Sequence, residues 1–227
     1  MADTITKENP VTDTSMATDA PSTPNHRTTN EGTTPASTPS DPQSSEFGAP
    51  WRARGTIEDN PVGLDDETVE QLIPKLDAIQ CTLWTLYHQY QKHHWLVEGP
   101  QFRDLHHFFE ESYEEVHTYL DRVAERMTAL GGIPTSGPAA IAKASLVDHE
   151  PEGTYRIRSM MEHDLAAERT LAKVLRETIQ RARDLGDPGT ERTVKKVLTK
   201  VEDRAHHLDH FLGDDSLEHG RTAETTA

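Results

Sequence analysis

A chain of 227 residues with 39 acidic against 23 basic side chains has a formal charge of −16 and room for one domain or two. Only eight of the bases are lysine, which argues against a simple electrostatic grip on nucleic acid. No stretch is apolar for long enough to cross a bilayer, and the lone Cys81 excludes an internal disulfide. A single free thiol fits a reducing compartment, so the expected location is cytoplasmic. The acidic excess has two readings: an ordinary soluble acidic surface, or one adapted to molar salt, where abundant carboxylates keep the surface hydrated.

Residues 1–60 are rich in Thr, Ser, Pro and Asp and nearly devoid of aliphatic side chains. Such a segment cannot bury enough apolar surface to offset its ordering entropy, so a disordered tail is expected. The tail lacks the apolar run of a signal peptide and the Arg-rich, acid-poor character of a transit peptide. With nine acids and four bases in residues 1–63, it is not a basic DNA-binding arm either.

The ordered body is expected over residues 64–213. Leu64-Asp65-Asp66-Glu67 supplies a cap and first-turn acids. Leu72, Leu76, Ile79, Leu83, Leu86 and Tyr90 then alternate steps of four and three, the stripe of a helix facing a core. Pro74 lies inside that stripe and either starts or kinks the helix, which ends near His94–Val97 before a Gly99-Pro100 turn. A second helix, Gln101 to Leu130, places Phe102, Leu105, Phe109, Val116, Leu120, Val123 and Met127 toward the core, and Gly131-Gly132-Ile133-Pro134 stops it. Ala139–Ser145 reads as a short linking helix. A third long helix, about Thr154 to Asp184, turns Ile157, Met161, Leu165, Leu171, Leu175 and Ile179 inward. Asp187-Pro188 caps a fourth, with Val194, Val197, Val201, Leu208 and Phe211 inward and Gly213 at its end. Residues 214–227 form a short polar tail. The fold class is therefore all-α: a four-helix bundle with a long crossover between the second and third long helices.

One polar stripe has a geometric consequence. His106 and Glu110, then Asp121 and Glu125, are two i,i+4 pairs on the second helix, beside its apolar face. Imidazole nitrogens together with carboxylates suit iron or another first-row divalent ion. At 1.5 Å rise per residue the pairs stand about 22 Å apart, too far to share one ion within a straight helix. If both serve one site, a second copy must run antiparallel alongside, giving a two-fold dimer with two equivalent sites. The bland alternative is a solvated polar flank.

The residues carrying this stripe resemble a known family. His94-Trp95, Gly99, Phe102, Leu105-His106, Leu120-Asp121, Ala124-Glu125-Arg126 and Leu130-Gly131-Gly132 are similar to the pattern of Dps-type mini-ferritins, ferritin-like proteins named for DNA protection during starvation. The similarity is dense over Tyr87–Gly132, looser to about Leu212, and absent from the first sixty residues. It implies a ferritin-like bundle and a ferroxidase centre shared by two subunits. One chain would supply His94, His106 and Glu110, and the other Asp121 and Glu125. It further implies a di-iron centre cycling Fe(II) to Fe(III), hydrogen peroxide as oxidant, a dodecamer built from two-fold dimers, and ferric mineral stored inside. The family usually has Asp where Glu110 stands, and Glu111 could compete for that role.

Other constellations remain open at this level. Glu111, Glu114 and Glu115 could nucleate mineral. Glu114-x-x-His117 with Asp203-x-x-His206 imitates ferritin-like sites buried within one subunit. His106, Glu110, His163, His210 and Asp215 echo a haemerythrin-like oxygen binder. His206 and His210 share a helical face and suit an auxiliary metal. Asp184, Asp187 and Glu191 could line an acidic pore. Because Dps proteins that condense DNA commonly use lysine-rich tails, DNA binding here is expected to be weak or absent.

Overall fold

A computed structural model describes residues 48–213. The described body holds five helices and no strand: α1 (Asp66–Leu96), α2 (Phe102–Ala129), α3 (Pro138–Ala144), α4 (Ile157–Asp184) and α5 (Pro188–Phe211). Helix α1 packs on α2 and α4 on α5; α1 also meets α4 and α3, and α2 meets α5. Two helical hairpins thus face each other, joined by the crossover that contains α3. No described helix is long and apolar enough to cross a membrane.

Helix α1 starts at the predicted cap, with the Asp65 carboxylate accepting from the Thr68 amide at 2.8 Å. It continues through Pro74. The expected stripe is core: Leu72, Leu76, Ile79, Leu83 and Tyr90 are fully buried and Leu86 nearly so. Each aliphatic member contributes about 1.5–3 kcal/mol by leaving water. On α2 the stripe from Leu105 to Met127 is buried, but Phe102 is 46 % exposed, and so is Phe211 on α5 at 43 %. Both sit in terminal turns, where neighbouring helices no longer cover the apolar side. Periodicity alone cannot see that.

The crossover is pinned to α1 at two places. The Thr135 amide and hydroxyl donate to the Asp77 carboxylate at 2.9 and 2.7 Å, and Gln80 Nε2 donates to the Thr135 carbonyl. Further along, Lys92 Nζ pairs with Glu150 at 2.6 Å and donates to the Pro151 carbonyl.

Residues 50–60, grouped with the tail on composition, instead run against the α1–α2 hairpin. The Glu58 amide donates to the Gly131 carbonyl at 3.2 Å, Arg52 donates to the same carbonyl, and Arg54 pairs with Asp77 at 3.1 Å. Gly131 is what admits them. It has φ +81°, and a Cβ there would lie 2.1 Å from the Glu58 carbonyl oxygen. The described, docked chain therefore begins upstream of the compositional boundary, while residues 1–47 and 214–227 lie outside the described residues.

Candidate metal centre

At the turn end of the α1–α2 hairpin, His94 and His106 face each other with ring centroids 3.8 Å apart and planes 20° from parallel. They are locked reciprocally. His94 Nδ1 lies 3.0 Å from the His106 carbonyl and His106 Nδ1 lies 2.8 Å from the His94 carbonyl. A carbonyl only accepts, so each Nδ1 carries a proton, and in the neutral ring the lone pair is left on Nε2. This is the outer-shell arrangement that fixes a histidine as a metal donor. Phe102 stacks on His106 at 4.9 Å and Tyr113 meets His94 edge-on at 5.5 Å.

Glu110, one turn beyond His106, is partly exposed and stands 3.9 Å from His107. Glu111 points differently. It is held by His107 Nε2 at 3.1 Å and borders a hollow with Phe108, Glu115, Lys200 and Arg204 on the α5 side. Asp121 and Glu125 are exposed about three and four turns beyond Glu110 along α2. The structure thus brings His94, His106 and Glu110 to one end and leaves Asp121 and Glu125 at the other. Among the described residues of one chain, no three His, Cys, Asp or Glu side chains converge into a complete cage. Trp95, next to His94 in sequence and 67 % exposed, instead borders a separate hollow with His88, Lys92 and His149 on the crossover side.

The alternative donors do not gather. Glu114, His117, Asp203 and His206 are all exposed, while a single-subunit ferritin-type site needs them inside the bundle. His163 is tied to the Asp148 carbonyl at 3.1 Å, and Asp215 lies outside the described residues. His206 and His210 do approach, with centroids 4.2 Å apart on the exposed face of α5. Of the acids considered for a pore, Asp187 is buried as the α5 cap. It accepts from the Thr190 amide at 2.9 Å and from Arg126 at 2.7 Å. Although burial opposes it, those bonds hold the Asp187 carboxyl below its usual range.

The bundle centre contains what the apolar pattern hid. Arg204 and Glu168 are buried and paired, and Tyr90 donates to Glu168 at 2.7 Å. Arg204 also reaches Glu115 at 2.8 Å. Burial opposes the charge on Arg204, but Glu168 and Tyr90 more than offset it, keeping the guanidinium firmly protonated. Beside it, the fully buried His93 lies between Asp164 at 2.8 Å and Glu150 at 3.1 Å. These carboxylates raise the basicity of His93 against the opposing effect of burial. A signal existed in the sequence: Glu168 falls on the core stripe between Leu165 and Leu171, where an acid must find a cation.

Known proteins share this fold. The family described as Ferritin-like domain matches residues 73–217. The chain is 42% identical to a nutrient stress-induced DNA-binding protein of a Nostoc species over 72% of this chain and 89% of that protein. It is 40% identical to a DNA protection during starvation protein of Halobacterium salinarum, over 68% of this chain and 85% of the relative. The crystal structure of an archaeal Dps homologue from Halobacterium salinarum superposes with a TM-score of 0.72 at 36% identity, covering 77% of this chain and 97% of that one. A five-helix body with the crossover helix in place, a histidine pair locked at the hairpin end and these similarities lead to one assignment: the chain belongs to the ferritin-like family, as a Dps-type mini-ferritin.

Proposed function

We propose that the protein is a ferroxidase and iron-storage mini-ferritin. It would oxidise Fe(II) at sites shared by two subunits and protect the cell through that chemistry. The observation that carries this reading is the split donor set. His94 on α1 and His106 on α2 turn their Nε2 atoms away from their backbone partners at one end of the hairpin, and exposed Asp121 and Glu125 lie about 22 Å along α2 from the His106 and Glu110 pair. An antiparallel second copy brings each half against the other's complement and covers the exposed Phe102 that stacks on His106. In that arrangement the histidines act as neutral donors. Glu110, Asp121 and Glu125 offset the metal charge and favour the ferric product. Two ferrous ions held together give hydrogen peroxide both electrons at once, so water forms without hydroxyl radical. Iron is the substrate as well as the cargo, and a hollow dodecamer of such dimers would hold the mineral in a cytoplasmic protein. Glu114 and Glu111 are candidates for its inner wall, with His206 and His210 as an auxiliary metal pair.

Complementation tests the sharing. Chains with His94→Ala/His106→Ala and chains with Asp121→Ala/Glu125→Ala should each be inactive alone. Mixed dimers should regain peroxide-driven iron oxidation, because one hybrid interface carries an intact site. Verified hybrids with no recovery would overturn the shared centre.

The relatives' names speak of DNA binding and DNA protection. For this chain the charge of −16 favours protection through iron, since affinity of the simple kind comes from basic groups displacing counterions and collapses as salt rises. Tight DNA retention at physiological salt in the presence of a chelator would reverse that preference.

A further inference from the structure

Beside the candidate centre, a set of half-buried rings on the flank of the core contributes no ligand atom to the proposed donor set. From the locked histidines a file of rings runs back along the α1–α2 face. Tyr113 meets His94 at 5.5 Å, Tyr87 meets Tyr113 at 6.0 Å, and Trp84 meets Tyr87 at 5.9 Å, each edge-to-face. His117 brackets the far end, 5.4 Å from Tyr87 and 6.3 Å from Trp84. Tyr87, Tyr113 and Trp84 are half-buried against the flank of the core. Packing explains rings here, since edge-to-face pairs are favourable. Packing does not require that all three be the side chains most readily oxidised by one electron, in unbroken contact, starting on a proposed ligand. Tyr90, Phe108 and Phe109 show the contrast: they fill the core, and Tyr90 is tied to Glu168.

We infer that Tyr113, Tyr87 and Trp84 form an electron-transfer path that supplies the missing electron when a site holds a single ferrous ion. This rests on the ferroxidase reading above. Peroxide needs two electrons and two protons to become two waters, and one Fe(II) supplies one electron. The second comes from Tyr113, so that H2O2, Fe(II), the Tyr113 phenol and one proton from solvent give Fe(III), two waters and a neutral Tyr113 phenoxyl radical. The O–O bond is broken, and the phenolic proton ends in water. Tyr87 then reduces Tyr113 by passing an electron and its proton, and Trp84 reduces Tyr87 in the same way, leaving a neutral indolyl radical. Because tunnelling falls off exponentially with the gap, short steps between touching rings outpace one long jump. The oxidising equivalent thus leaves the metal without being released as hydroxyl radical.

The test uses the intact assembled protein, loaded without oxygen at less than one Fe(II) per site, mixed with peroxide and freeze-quenched for electron paramagnetic resonance. Wild type should show an organic radical and little hydroxyl radical by spin trapping. Tyr113→Phe should lose the organic signal and release more trapped hydroxyl radical, while oxidising iron normally at full loading, where no protein electron is needed. Tyr87→Phe should hold the radical on a phenoxyl and spare Trp84 from oxidation in peptide mass spectra. Trp84→Phe should do the same to the radical lineshape. Iron oxidised with no organic radical in wild type, or an undiminished radical in Tyr113→Phe, would overturn the path. Absence of iron oxidation in wild type at any loading would instead remove the ferroxidase reading and the path with it. Failure of Tyr113→Phe to assemble would show in its size, and the Tyr87 and Trp84 variants would then decide.

Discussion

Two regions of this bundle use the same chemical vocabulary and do opposite things with it. At the centre, Glu168, Arg204, Tyr90, Asp164 and His93 are buried and every one is bonded to another. On the α1–α2 face, His94 and His106 bond through one nitrogen each and keep the other free, and Asp121 and Glu125 stand in solvent. The centre shows what buried charge must do to survive in a core, because an unpaired ion there costs several kcal/mol. The face shows two histidines whose orientation is fixed through one nitrogen each, beside acids that make no such bonds. Reactivity in this molecule is expected where satisfaction is incomplete and geometry is not.

The sharpest way to break the contrast is at the centre. Arg204→Met should cost about 3–5 kcal/mol, read from denaturant midpoints, because Glu168 loses its cation while staying buried. Adding Glu168→Leu should recover much of that loss, since removing both charges removes the penalty as well. A double variant no better than the single one would mean that Glu115 or Tyr90 carries more of the centre than the pair does.

A smaller effect is expected at the α5 cap. Asp187→Ala should cost about 1 kcal/mol. Its pH dependence has a definite sign. The folded carboxyl lies below its ordinary value, so its contribution is present above the unfolded pKa and disappears as pH falls through the lower folded one. Acid unfolding followed by circular dichroism should therefore separate wild type from Asp187→Asn at neutral pH and let them converge in acid. A constant gap would remove the linkage.

On the face, the expected stability change is nearly nil. Asp121→Asn and Glu125→Gln in isolated subunits should shift stability by no more than about 0.5 kcal/mol, as surface substitutions do, yet they should abolish iron oxidation in the assembly. A large loss of subunit stability would place these acids in the fold's own framework and blur the two regions. Smallest of all, deleting residues 1–47 should leave the melting temperature of the body unchanged. Extending the deletion through Thr56 should lower it, because Arg52 and Arg54 are anchored to Gly131 and Asp77.

The sequence made the bundle legible because α1, α2, α4 and α5 each carry a buried stripe at helical spacing, with acids or proline at the predicted caps of α1 and α5. Four of the five proposed donors were legible as pairs at i,i+4, and the resemblance added His94. What stayed hidden has physical reasons. Glu168 stood out only by falling on the core stripe of α4, and nothing in the sequence named Arg204 on α5 as its partner, since a pairing across two helices leaves no periodic trace. Phe102 and Phe211 obey the period but lie where the neighbouring helices run out. Residues 50–60 look like tail by composition, yet a few arginine and backbone bonds to Gly131 and Asp77 hold them down.

The distance between the two halves of the donor set also has a temporal meaning. On the proposed reading, a newly made chain carries every ligand yet cannot oxidise iron, because its own halves are about 22 Å apart. Competence arrives only with pairing, and pairing is concentration-dependent. Iron chemistry is then silent in stray or damaged subunits and begins only where a shell exists to receive the product, a safeguard written into helix length alone.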